Sequence, residues 1–231
     1  MPSLSLQLHL AGHAVLRSIA RPVVRAADRS ILSKLQDEMR REILVKSAAG
    51  LAAPQLGISL RAFMVAPVAP ADGEPWMAIN PSIVRRSRAT TSDYESCLSV
   101  PHYAAEVRRA RSVEVQFEQM DGRLVSKRLS GWDARVFQHE LDHLDGVLFT
   151  DRADLSSLLH ESFYTIGEEE SDAQSSDGET AAAAGASGRP ESEVDFETDE
   201  HEYYDEYEYE EEEEWVDVAP SSERSVKDAQ R

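Results

Sequence analysis

Apolar positions recur with two different periods along the chain. Between residues 27 and 46, Ile31, Leu35, Met39 and Ile43 return at helical spacing, with Leu44 beside the last, and predict an amphipathic helix. The stretch that follows, Ser47–Gly57, is rich in small residues and holds Pro54, which predicts a tight loop where backbone passes close to something. The pattern then shortens to strand-like runs at Ala62–Ala66, Trp76–Ile79, Ile83–Arg86 and Val113–Phe117. The last of these faces Leu124–Leu129 across Asp121-Gly122, a hairpin turn signal. Residues 130–145 revert to a helical pattern, with Ser130 and Asp133 as a capping box and Gly146 as the stop. Leu155–Phe163 predicts a short final helix. Strands and helices do not alternate as βα units, so the class is α+β, with short antiparallel sheets around a central helix.

The patterned part ends near residue 166, and composition explains why. Of the net charge of −19, Gly167–Arg231 carries 24 acids against 4 bases, which leaves 19 acids and 20 bases for residues 1–166. The expectation is a nearly neutral single domain at 1–166, long enough for a core, and an acidic, low-complexity, disordered tail at 167–231. Within the tail, Glu191–Trp215 interleaves Tyr203, Tyr204, Tyr207 and Tyr209 with acids. A solvated tail is the plain reading, and docking on a basic surface such as the ribosome is the sharper one. The domain has no basic excess to mark a nucleic-acid binder. The single cysteine excludes an intrachain disulfide framework, and no apolar run approaches the roughly 18–20 residues of a membrane helix.

The chemistry concentrates in His139-Glu140-Leu141-Asp142-His143, an HExxH pattern inside the second predicted helix. Spacing of i and i+4 sets both imidazoles on one face, where they can share a metal ion, with Glu140 beside them to trade a proton with a water on that ion. A catalytic site of this kind needs a third protein ligand and an open position. Metzincin peptidases would place it ten residues after the first histidine, but that position is Phe149, which cannot ligate. Upstream, Cys97 is the lone thiol, readable as a soft ligand or as a small buried hydrophobe.

Three segments, in order, resemble those of the peptide deformylase family: Gly50-Leu51-Ala52-Ala53-Pro54-Gln55, Glu95-Ser96-Cys97-Leu98-Ser99, and Gln138 through Gly146 around the HExxH pattern. The opening Gly12–Arg17, through Pro22-Val23, is similar to that family's N-terminal segment, so the likeness spans about residues 10–152. The resemblance implies a peptide-deformylase-like fold and one divalent metal, Fe2+ first with Zn2+, Ni2+ or Co2+ as alternatives, held by Cys97, His139 and His143. It implies hydrolysis of the formyl group on N-formylmethionyl nascent peptides by metal-bound hydroxide, with Glu140 as general base and acid. The Gln55 amide and the Leu98 backbone N–H would stabilise the oxyanion, and the Gly50 peptide would pair with the substrate strand. Trp132, Val136 and His139 share a helix face and can wall the methionine slot.

Three positions depart from the family's usual pattern. Ala48 stands for a glycine, Ser96 for the glycine before the cysteine, and Ala104 for an arginine of many bacterial members. Ser96 would be strained if its backbone required a positive φ. The Ser130–Arg135 segment is similar to the organellar branch, which implies a mitochondrion or plastid, with a bacterial-type cytoplasm as the alternative. Arg17, Arg21 and Arg25, without an acid up to Ala27, fit a transit-like N-terminus or the surface of the domain. Two other functions remain open at this point: a catalytically weakened binding module that uses the acidic tail, and an HExxH metallopeptidase.

Overall fold

The computed structural model describes residues 6–24, 26–67, 73–163 and 214–218. Two units divide the chain, Met1–Tyr164 with Glu213–Arg231, and Thr165–Glu212. All described residues belong to the first, so most of the predicted tail lies outside the described residues.

The first helix, α1, spans Ala26–Lys46. Its buried stripe is Leu32, Leu35, Met39 and Ile43, so Leu32 replaces the expected Ile31 and Leu44 faces solvent. The predicted loop contains a short strand, β1 (Gly50–Ala52), and a 3-10 turn, Ala53–Leu56. Strand β2 is Ala62–Val65 and β3 is Trp76–Ser87. The two runs predicted at Trp76–Ile79 and Ile83–Arg86 are therefore one strand, with register shifts around its middle. Next along the chain come β4 (Thr90–Cys97) and β5 (Val100–Ala110), which the apolar pattern does not reveal. The expected hairpin follows as β6 (Ser112–Glu118) and β7 (Leu124–Ser130).

Helix α2 spans Gly131–Leu144 and ends as expected, with Gly146 left-handed at φ 74°. Ser130 occupies its N-cap, but its side chain caps nothing, so the capping box does not form. The final helix predicted from Leu155 does not form over Leu155–His160. Leu155–Ser157 is a 3-10 turn, and Leu159–His160 is a two-residue strand, β8. A last strand, β9 (Trp215–Asp217), belongs to the same unit, although composition groups it with the tail.

Six strands form one antiparallel sheet in the order β1-β2-β3-β6-β7, with β9 also paired to β3; β4-β5-β8 form a second sheet. Along β2 the strand period separates two cores. Ala62 and Met64 pack with the α1 stripe, while Phe63 and Val65 pack with Phe137, Leu141 and Leu144 of α2. Helix α2 is thus enclosed. Its apolar stripe meets the larger sheet, and its polar stripe meets β4 and β5.

Candidate active site

The burial of α2 decides what its polar stripe can be. Arg135, His139 and Asp142 are all buried, and each finds a partner on or beside the small sheet. Glu95 of β4 is the hub. Its carboxylate accepts from Arg109 Nε and Nη2 at 2.9 Å each, from Arg135 Nη1 at 2.8 Å, and pairs with His139 Nδ1 at 2.9 Å. Arg109 reaches Asp142 with its other nitrogen, and Arg152 closes on Asp142 from the outside. Burial alone would raise the Glu95 pKa; the bonds from Arg109 and His139 outweigh it and hold the value down to about 2. Glu95 therefore stays charged and fixes the His139 ring with Nδ1 turned to it, which leaves Nε2 for a ligand.

Two residues beyond Glu95, Cys97 ends β4 in a tight connection to β5, where it pairs with Val100. Its Sγ lies 3.3 Å from His143 Nε2. The ligand atoms of Cys97, His139 and His143 all lie within 4.8 Å of one another, so one ion can meet all three. The donors suit a divalent transition metal, being a sulfur and two imidazoles, one of them backed by a carboxylate. Burial holds the His143 pKa well below its ordinary value, which keeps that ring neutral and able to donate its lone pair. Phe149, at the peptidase third-ligand position, is buried with its ring 6.4 Å from that of His139 and buttresses it.

Glu140 stands next to this group on α2. It is buried, and its Oε2 has no protein partner among the described residues. Burial raises its pKa to about 7, in the range where a carboxyl group both takes and gives a proton. The backbone of β1 passes over it so closely that a Cβ at Gly50 would sit 2.6 Å from Glu140 Oε1. That contact, rather than an unusual φ, is what requires glycine there. Gly50→Ala should therefore displace the Glu140 carboxylate and lower turnover by roughly tenfold or more, with the metal content unchanged. Parallel turnover and metal analysis of the purified variant checks this.

Gln55 comes from the 3-10 turn after β1 and is 2% exposed. Its Oε1 accepts from Ala52 N at 2.7 Å, which aims Nε2 at Cys97 Sγ (3.5 Å) and Ser99 Oγ (3.2 Å). Above these groups opens a cleft of about 630 Å³, lined among others by Gly50, Ser96, Leu98, Trp132 and Val136. Val136 is buried and Trp132 half-exposed, so Trp132 forms a lip of the cleft and Val136 its wall. The structure thus gathers all nine residues singled out from sequence: Gly50, Gln55, Cys97, Leu98, Trp132, Val136, His139, Glu140 and His143.

The substituted positions carry no backbone strain. Among the described residues, the non-glycine positions with positive φ are Ser47, Asn80 and His102, so Ser96 and Ala48 keep ordinary geometry. Ala104 is buried opposite Leu159 of β8. Sequence reasoning missed the roles of Glu95, Arg109, Arg135 and Asp142. The available signal was charge at positions 135 and 142, on the same helical face as His139.

A family model described as polypeptide deformylase matches residues 6–158. The chain belongs to the peptide deformylase family. A peptide deformylase from Synechocystis is 39% identical over 163 residues, covering 70% of this chain and 86% of that relative. One from Thermotoga neapolitana is 38% identical over 146 residues, covering 63% and 85%. Among solved structures, the Thermotoga maritima peptide deformylase superposes with a TM-score of 0.59 at 37% identity, over 64% of this chain and 97% of that one. A Met-Ala-Ser-bound class I type b deformylase from Acinetobacter baumannii gives a TM-score of 0.59 at 36% identity, over 64% of this chain and 97% of its own. Deformylases are metal-dependent hydrolases that act on formylated nascent peptides, and the donor group found here fits that chemistry. These relatives are bacterial proteins. No helix among the described residues is long and apolar enough to cross a membrane.

Proposed function

We propose that this chain removes the formyl group from the N-terminal formyl-methionine of newly made polypeptides, releasing formate and a free amino terminus. The observation that carries this reading is the meeting of Cys97, His139 and His143 with Glu140 and Gln55 at the base of one cleft. A divalent cation held by the first three would supply Lewis-acid activation of a water molecule and of the formyl oxygen. Fe2+ is the proposed ion, with Zn2+, Ni2+ and Co2+ as substitutes that the same donors accept.

The chain's own groups account for the remaining steps. Glu140 takes a proton from the attacking water and returns it to the departing amine nitrogen. Negative charge develops on the formyl oxygen only along the reaction path, so donors aimed there lower the barrier. Gln55 Nε2 and the Leu98 backbone N–H are the proposed donors. The Gly50 peptide aligns the substrate backbone as an added strand, and Trp132, Val136 and the His139 ring enclose the methionine side chain. The compartment follows the substrate. A mitochondrion or plastid is proposed from the Ser130–Arg135 segment, and the bacterial relatives support a bacterial-type cytoplasm equally well. The acidic stretch before Trp215 is proposed as an arm toward a basic ribosomal surface.

The test is release of formate from a formyl-Met peptide by anaerobically purified protein. Normal metal content without formate release would sink the hydrolase reading in favour of a binding module, and cleavage of internal peptide bonds would favour a peptidase. Gln55→Leu is a sharper check on the oxyanion donor. It should lower kcat by roughly 10²–10³ with KM little changed, since the lost bond belongs to the transition state.

A further inference from the structure

Beyond β2, the edge of β3 would be open, because β2 pairs only its first residues, Trp76–Ile79. The far half of that edge is instead taken by Glu214–Val218, a segment outside the family-matched region. Its main chain is bonded at both ends: Arg88 N donates to Glu214 O and Val218 N to Val84 O, each at 2.8 Å. Val216 lies opposite Arg86, midway between them.

The side chains read the segment on both faces. Trp215 and Asp217 share one face, where the guanidinium carbons of Arg85 and Arg128 lie 5.3 and 5.1 Å from the Trp215 ring centroid. Arg85 also pairs with Asp217, and Arg88 with Glu214. On the opposite face Val218 packs against the larger core. Arginines over an aromatic ring, two acid partners, an apolar anchor and strand bonding together make a site of defined chemistry.

We propose that the β3 edge from Val84 to Arg88, with Arg128, is a binding site for an extended acidic–aromatic peptide, and that Glu214–Val218 of the same chain is its resident occupant. The segment latches the C-terminal region to the catalytic domain across the 50 residues from 164 to 213. It also closes an edge that would otherwise invite pairing with another chain.

The probe is a fluorescein-labelled peptide of the sequence Glu214–Val218, followed by anisotropy. The full-length protein, its edge filled, should bind it roughly tenfold or more weakly than a chain ending at Glu213. Val216→Pro in the full chain removes a strand donor while leaving the rest of the protein intact, and should open the site to the peptide in the same way. Adding Arg85→Ala and Arg128→Ala to either opened form should abolish that binding. Formate release should be unchanged in Val216→Pro, because the latch lies apart from the cleft. Equal peptide binding by the full-length and opened forms would overturn the proposal. So would no binding by either opened form. A concentration-dependent dimer that Val216→Pro abolishes would place the strand in a second copy and overturn the latch.

Discussion

Glu140→Gln should reduce formate release by roughly 10²–10⁴-fold, the usual worth of a general acid–base group, with about one metal ion per chain retained. The amide keeps the shape of the carboxylate beneath Gly50, so the close packing there survives. It cannot accept a proton. His139 and His143 keep their positions on α2, and Glu95 still holds the His139 ring. Loss of turnover with unchanged metal content separates proton transfer from ligand geometry. Glu140 is well suited to the role because it is buried, and because, among the described residues, its Oε2 has no protein partner that would compete with water. Retention of more than about a tenth of the activity would remove Glu140 from the mechanism.

The largest effect on stability should come from Arg109→Leu. Arg109 is 5% exposed and bonded to two buried carboxylates, Glu95 and Asp142. Removing it takes two bonds from Glu95, which keeps Arg135, and the buried bond from Asp142, which keeps only the half-exposed Arg152. Breaking a buried pair in this way costs about 3–5 kcal/mol. For a domain of this size, each kcal/mol lowers Tm by about 2–4 °C, so a fall of about 6–20 °C is expected. Glu95 would then drift up from its depressed pKa and loosen its hold on His139, so metal affinity should fall as well. Arg152→Ala is the control. Arg152 also touches Asp142, but its side chain is 43% exposed, and its loss should cost less than about 1 kcal/mol. Thermal melts of the two variants, read beside metal content, decide between a buried hub and an ordinary surface network.

The parts of this molecule legible in its sequence are those whose signal is local. His139, Glu140 and His143 announce themselves because one helical turn brings them together, and α1 and α2 because their apolar residues keep a helical period. Cys97 and Gln55 are found by likeness of segment rather than by period. The small sheet is illegible for a physical reason. In β4, Thr90–Asp93 and Ser96 are exposed, and Glu95 is buried only because Arg109, Arg135 and His139 satisfy it. A strand that buries a charge network does not show apolar alternation. For the same reason Arg135 and Asp142 resemble the solvent face of a helix when only the sequence is in view. Strand β9 is hidden differently: Trp215-Val216-Asp217-Val218 is short, and the acids before it dominate the composition of its neighbourhood.

The unequal cores set the order in which the molecule breathes. The small sheet shares a cluster of four buried apolar residues, Cys97, Ala105, Val107 and Phe149, whereas each of the two main clusters has more than a dozen. Amide hydrogen exchange should accordingly be fastest along β4 and β5 and slowest along β2 and the first half of β3. The thiol proposed as a ligand thus rides on the piece of the domain with the smallest apolar cluster, while both imidazoles ride on an enclosed helix. An ion shared between them would act as a rivet between a soft part and a stiff one, and its removal with a chelator should speed exchange in β4 and β5 first.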